Sequence, residues 1–384
     1  MSVTFARVML PDDANPAGNV HGGTILKMIE HAGYIVATRH CNSRADVCDT
    51  SADKDVGDDE DGSGGSDGNT IGERGAANLP IFAALARLET MTFLAPMHIG
   101  EVAQLEARVT FTSRRSIEVA VSVWAESPAR PSARRLTNRA RLWYVAVTSR
   151  RAHGSFETVD VPVAISLGAA ERAEGQQRYE ARCSNCEAER REREEEWKKD
   201  SAVRVHTAAL ASAPEPASEP ATKTVTAPSA SMTSLAQLVL PSDCTSSGTC
   251  FGGTIMKLVD NAGGIVATRH CRTNVVTASI DAMDFLFPSQ VGDLLHINAV
   301  PTFASSRSLE IIVSVEAEKL MTGEKHLCCH ARLTFVSLGV DARPQPVPAL
   351  CPTNEMEARR FAAARERYEK RKLQRQRQRV KRDS

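Results

Sequence analysis

The sequence predicts a duplicated α+β protein, in which each unit is one long buried helix followed by antiparallel strands. Three observations predict it: an internal repeat, a mostly apolar helical segment heading each copy, and period-two alternation after it. The repeat comes first, because self-similarity at a fixed spacing outranks any local pattern. PDDANPAGNVHGGTILKMIEHAGYIVATRHC (residues 11–41) is matched without a gap by PSDCTSSGTCFGGTIMKLVDNAGGIVATRHC (residues 241–271), at a constant offset of 230 and with about half the positions identical. Further on, FLAPMHIGE (93–101) pairs with FLFPSQVGD (285–293), and TSRRSIEVAVSVWAE (112–126) with ASSRSLEIIVSVEAE (304–318), now at an offset of 192. The first copy therefore carries 38 extra residues between its helix and its strands.

The opening MSVTFARVMLP is strand-like and leaves no space for a secretory or transit segment before the fold, so a cytoplasmic protein is expected. After a double glycine each copy reads as a helix, with Ile25, Ile29, Ala32 and Val36 in one row and Ile255, Val259, Ala262 and Val266 in the other. The adjacent rows (Leu26, Glu30, Gly33, Ala37 and Met256, Asp260, Gly263, Ala267) are apolar or small apart from one acid each. A helix apolar over most of its surface is a buried one. Residues 46–78 are acidic, rich in Gly and Ser, and predicted to be a disordered insertion. Ala103, Leu105, Ala107, Val109 and Phe111 then alternate with polar residues, as do Ile117, Val119, Val121 and Val123, and RLWYVAV (141–147) closes the unit.

These patterns divide the chain into a first domain (1–167), a charged helix (168–200), a disordered linker (201–231), a second domain (232–345) and a basic helical tail (353–384). Glu189 with Arg193 and Glu194 with Lys198 suit an exposed helix, and the tripeptide RYE recurs at 178–180 and 367–369. Among the 384 residues, 42% are hydrophobic, 24% charged, and the net charge is zero. No apolar run approaches the roughly 18 residues that span a bilayer, so no membrane partner is expected. The neutral sum hides an acidic stretch at 46–67 and a basic tail at 365–382. That tail has Tyr368 as its one aromatic and matches the first trailing helix, which favours a solvated helix end over nucleic-acid binding. The ten cysteines are no disulfide framework; Cys41, Cys250, Cys271, Cys328 and Cys329 lie in apolar patterns. Cys183 and Cys186 form a lone C-x-x-C, two thiolates short of a zinc site, so no metal is assigned.

The segments PDDANPAGNVHGGTILKMIEHAG and RHCN in the first copy, with KLVDNAGGIVATRHC and TASIDAMDF in the second, resemble the tandem-hotdog acyl-CoA thioesterases. The resemblance covers about three quarters of the chain. It implies that each antiparallel sheet wraps its central helix and that the two hotdog domains pair as an intrachain pseudo-dimer with sites at their interface. It also implies hydrolysis of medium- to long-chain fatty acyl-CoA without a cofactor, and assembly of three double hotdogs in a ring.

Thioester hydrolysis needs an acid to activate water or attack directly, a polar group to orient the reactants, and donors for the oxyanion. Glu30 and Asp260 are equivalent carboxylates on buried helix rows, costly to keep unless paired or functional. The resemblance implies partnership of such an acid with an Asn in the loop before the other domain's helix. The matching loop positions are Asn15 and Thr245, so Asn15 with Asp260 is the complete pair and Thr245 with Glu30 the degenerate one. Glu is longer by one methylene, which displaces the carboxylate by about 1.5 Å, enough to spoil an attack geometry. Gly252 and Gly253 at the start of the second helix are the oxyanion candidates; a tight turn explains them equally well. His21 is replaced by Phe251 in the second copy, which argues again for divergence of the two sites. Arg115 and Ser116, with Arg307 and Ser308, lie at strand turns and are candidates for binding the CoA phosphates. Two other readings stay open: an acyl-CoA-binding regulator that kept its pocket without turnover, and a hotdog dehydratase, which Phe251 disfavours.

Overall fold

The computed structural model describes residues 1–43, 81–150, 155–162, 167–184 and 225–383. The acidic insertion expected at 46–78, Cys186, residues 185–200 of the charged helix and most of the expected linker lie outside that set.

The first copy begins with strand β1 (Ser2–Val8) and helix α1 (Gly22–Cys41), and the second with β9 (Thr233–Leu238) and helix α4 (Gly252–Cys271). After α1 come β2 (Ile81–Leu88), β3 (Met91–Phe93), β4 (Val102–Thr112), β5 (Ser116–Ser127), β6 (Arg130–Arg150) and β7 (Ser155–Thr158). After α4 come β10 (Asn274–Phe285), β11 (Asp293–Ala304), β12 (Ser308–Lys319) and β13 (Glu324–Leu338). One antiparallel sheet path joins them in the order β1-β4-β5-β6-β2-β10-β13-β12-β11-β9, so each half repeats the other in reverse about the β2–β10 junction. There Leu88 pairs with Met283 and Arg87 with Asp284, whose side chains also form an ion pair at 2.7 Å.

The rows read from the sequence face this sheet. Ile25, Ile29, Ala32 and Val36 are buried against β4 and β5, and Ile255, Val259, Ala262 and Val266 against β11 and β12. The alternating Ala103, Leu105, Ala107, Val109 and Ile117, Val119, Val121, Val123 supply the opposite wall. Each buried aliphatic side chain contributes roughly 1.5–3 kcal/mol of transfer free energy. Ile29→Ala is the kind of single change that opens a cavity costing roughly 2–5 kcal/mol.

Glycines let the two helices touch. A Cβ on Gly23 would stand 3.0 Å from the Lys257 Cα, and one on Gly253 3.1 Å from the Lys27 Cα. The N-terminus of each helix thus lies across the middle of the other, which brings Gly22 and Gly23 to Asp260, and Gly252 and Gly253 to Glu30.

The trailing helices are docked by matching residues. In α2 (169–184), Arg178 donates from Nε and Nη2 to the buried Glu118, both at 2.7 Å, while Tyr179 packs on Phe111 and Trp143. In α5 (Glu355–Asp383), Arg367 and Arg371 donate to the buried Glu310 at 2.6 and 2.9 Å, and Tyr368 packs on Phe303. The recurrent RYE is therefore an anchor: its Arg neutralises a sheet carboxylate that would otherwise be a buried unpaired charge.

The end of the segment expected to be linker is ordered. Strand β8 (Val225–Thr226) pairs in parallel with β14 (Ala349–Leu350), and the short helix α3 (Pro228–Ser231) buries Pro228 and Ser231. Composition marks this stretch as unable to build a core, but two backbone pairs to a distant strand hold it.

Candidate active site

Asp260, on α4, is 2% exposed, yet it lines a cavity of about 910 Å³. Its Oδ2 accepts from the Gly23 N–H at 2.6 Å, and its Oδ1 from the Thr277 hydroxyl of β10 at 2.7 Å. The Nδ1 of His21, the N-cap of α1, lies 3.1 Å from Oδ2. Burial raises the Asp260 carboxyl above the ordinary aspartate range, and His21, Thr277 and Gly23 pull it part of the way back. A carboxylate at a helix N-terminus also meets the positive end of the helix dipole.

Asn15 lines the same cavity. Its Oδ1 accepts from the N–H groups of Ala17 and Asn19 at 2.9 and 3.1 Å, so the turn of the loop fixes the oxygen and these bonds leave the Nδ2 donors unused. Gly22 also lines the cavity; a Cβ there would fall 2.9 Å from Asp260 Oδ2 and 3.1 Å from Thr277 Oγ1, so only glycine fits beside the acid.

The glycines assigned from sequence as oxyanion donors, Gly252 and Gly253, are not at this acid. They head the same helix that carries Asp260 two turns further along, about 12 Å away at 1.5 Å per residue. They face Glu30 instead: a Cβ on Gly252 would lie 3.6 Å from Glu30 Oε1, and the Gly253 N–H points to the same carboxyl. The helix start that accompanies Asp260 is that of α1, because the helices cross.

Around Glu30 the Gly253 N–H matches that of Gly23, but the other polar groups of the Asp260 site have apolar or closed counterparts. Leu85 stands where Thr277 does, its Cδ2 2.7 Å from where a Gly252 Cβ would be. Phe251 takes the place of His21 and packs on His31 and Tyr34 with ring centroids 4.5 and 5.6 Å apart. Thr245 spends its hydroxyl on Ser247 and Thr249 within its own loop. Glu30 is 1% exposed, its Oε2 has no hydrogen-bond partner among the described residues, and burial pushes its carboxyl well above the usual range. The hollow on this side, about 410 Å³, is lined by Tyr34, Thr245 and Phe251 and does not include Glu30.

The strand-turn residues proposed for CoA do not line the Asp260 cavity. Ser308 pairs with Val336, a cavity-wall residue, so the exposed Arg307 turn is one strand from the wall; Arg115 and Ser116 occupy the matching turn of the other half, where Arg115 lies 3.7 Å from Asp160. Sequence reasoning missed Gly22, Gly23 and Thr277 as site residues. The signal for Thr277 was faint: at the offset of 192 it aligns with Leu85, a polar-for-apolar change eight residues ahead of the matched segment 93–101. Burial pushes the thiols of Cys41, Cys250 and Cys328 up to about 12, as inert packing groups. Among the described residues no helix is long and apolar enough to cross a membrane.

Comparison with known proteins gives the chemistry of such a site a context. The model of the thioesterase superfamily matches residues 17–57, 70–132 and 247–324, parts of both copies. The mouse cytosolic acyl coenzyme A thioester hydrolase is 40% identical over 376 residues, which cover 97% of this chain and 84% of the relative. The human cytosolic acyl coenzyme A thioester hydrolase is 40% identical over 96% of this chain and 83% of its own. Among solved structures, the acyl-CoA hydrolase of Staphylococcus aureus in complex with butyryl coenzyme A is 32% identical, with a TM-score of 0.38 over 41% of this chain and 96% of that one. Full-length similarity of this kind, reaching across both copies and their connecting segments, shows that the chain belongs to the family of acyl coenzyme A thioester hydrolases within the thioesterase superfamily.

Proposed function

We propose that the chain hydrolyses medium- to long-chain fatty acyl-CoA to free acid and CoA, at one composite site per polypeptide. In this reading the two hotdog halves act as an intrachain pseudo-dimer, and Asp260 of the second half works with Asn15, His21 and Gly22 of the first. The observation that carries it is the cavity shared by Asn15 and a buried Asp260, whose carboxylate is held by Gly23 and Thr277.

Asp260 drives the reaction, deprotonating water or adding to the thioester carbon. The Asn15 Nδ2 group and the Gly22 N–H at the head of α1 are the donors for the oxyanion. Thr277 and Gly23 favour the ionised form of the acid against its burial, the form a base or nucleophile uses. No cofactor enters the scheme. The cytosolic naming of the relatives supports the same compartment, and assembly of three chains into a ring belongs to the proposal.

Release of free thiol from palmitoyl-CoA by the purified chain tests the activity, and a single turnover in ¹⁸O-water bears on the role of Asp260. Label found in the carboxyl of the enzyme after one turnover marks direct attack, whereas label confined to the fatty acid fits base catalysis or an anhydride opened by water at its fatty-acyl carbon. An enzyme silent toward every acyl-CoA would sink the proposal and favour the binding-protein reading.

A further inference from the structure

We infer that Gly264 is the specificity-determining residue of the Asp260 cavity, holding open an apolar limb for the acyl chain; the inference rests on the hydrolase reading above. Gly264 follows Asp260 by one helical turn, about 6 Å along α4. The cavity continues past it between Ile265, Val276, Phe335, Leu338 and Pro344, with Thr268, Arg269 and Asn274 also on its lining, and is bounded elsewhere by the Asn15–His21 loop and residues 93–98. With the thioester carbon at Asp260, the limb past Gly264 takes the hydrocarbon.

Glycine in the middle of a 20-residue helix is unfavourable relative to alanine and calls for a reason. Its neighbour Gly263 has one in packing, since a Cβ there would fall 2.8 Å from the Phe335 ring. Gly264 has none: its Cβ would meet a single atom, Phe335 Cε1, at 4.0 Å, and otherwise open space. The equivalent position in the first copy is Tyr34, which packs on Phe251 and borders the smaller hollow that does not include Glu30. One position thus carries a ring where the groove is filled and no side chain where it is open.

The test uses the full-length chain as Gly264→Ala, Gly264→Leu and Gly264→Tyr, with kcat/KM measured for butyryl-, octanoyl- and palmitoyl-CoA. The palmitoyl-to-butyryl ratio is expected to fall with side-chain size, by roughly 10-fold or more for Leu, in the range one filled hydrophobic subsite commands. Equal losses at all chain lengths, or an unmoved ratio, overturn the inference. Should the Tyr variant fail to fold, the Ala and Leu ratios decide. A wild type that hydrolyses no acyl-CoA strikes the functional proposal instead, so the two failures are distinguishable.

Discussion

The two halves of this molecule share a backbone plan and differ at their equivalent acids. Asp260 has three polar neighbours and a cavity; Glu30 has the Gly253 N–H, a leucine, a phenylalanine, a self-bonded threonine and an oxygen without a partner among the described residues. One working site, as proposed, fits this difference. A buried carboxylate is worth its desolvation cost only where donors and substrate meet it, and on the Glu30 side Leu85 and Phe251 stand where Thr277 and His21 do, leaving the Gly253 N–H.

The strongest way to break the comparison is to remove each acid in turn. Asp260→Ala is expected to lower kcat by roughly 10²–10⁴-fold, the span of a general acid–base group, while Glu30→Ala leaves most turnover in a thiol-release assay. Equal losses would mean two working sites. Asn15→Ala should cost on the order of 10²-fold in kcat, as for one oxyanion donor, and Thr245→Ala next to nothing.

Thr277→Val sharpens the comparison by giving the Asp260 side the apolar neighbour that Leu85 provides on the other. Losing a hydrogen bond to a charged group costs roughly 1.5–3 kcal/mol, or about 10–100-fold. It has a signature in pH. The Thr277 hydroxyl lowers the Asp260 carboxyl, so its removal raises it further, and an acid that must be ionised then loses activity at a higher pH. The acidic limb of the kcat/KM profile should move up; a profile that only drops in height would assign Thr277 a packing role.

The smallest effect is on stability. The Glu30 carboxyl is raised in the folded state, so the stability it contributes is fully present below the unfolded-state value near pH 4 and is lost as pH rises toward the folded value. Glu30→Gln removes that dependence. Thermal melts should show the variant gaining roughly 1–3 kcal/mol over wild type at pH 7–8 and little at pH 4, without change in turnover.

Much of this was legible in the sequence for a physical reason. Burial periodicity is local, so Ile25, Ile29, Ala32 and Val36 and the alternating β4 and β5 positions announce their element and their buried face. The repeat multiplies that signal, because two copies must satisfy the same packing. The acids stood out as exceptions inside apolar rows, and RYE as a recurrence, although its anchoring contacts to Glu118 and Glu310 did not show. Ordering of 225–231 did not show, since it depends on pairing with residues 349–350 from the far end of the chain.

What the sequence by itself determined is therefore the duplicated plan, the buried helices and the difference in residue type between Asn15 with Asp260 and Thr245 with Glu30. Only the tertiary structure decided which glycines serve which acid. Sequence proximity put Gly252 and Gly253 with Asp260, but helices that cross at glycine contacts exchange their N-termini, and Gly22 and Gly23 arrive there instead. The entry of Thr277 and the emptiness beside Gly264 follow from the same cause. Both are relations between elements packed against one another, which a local sequence pattern does not report.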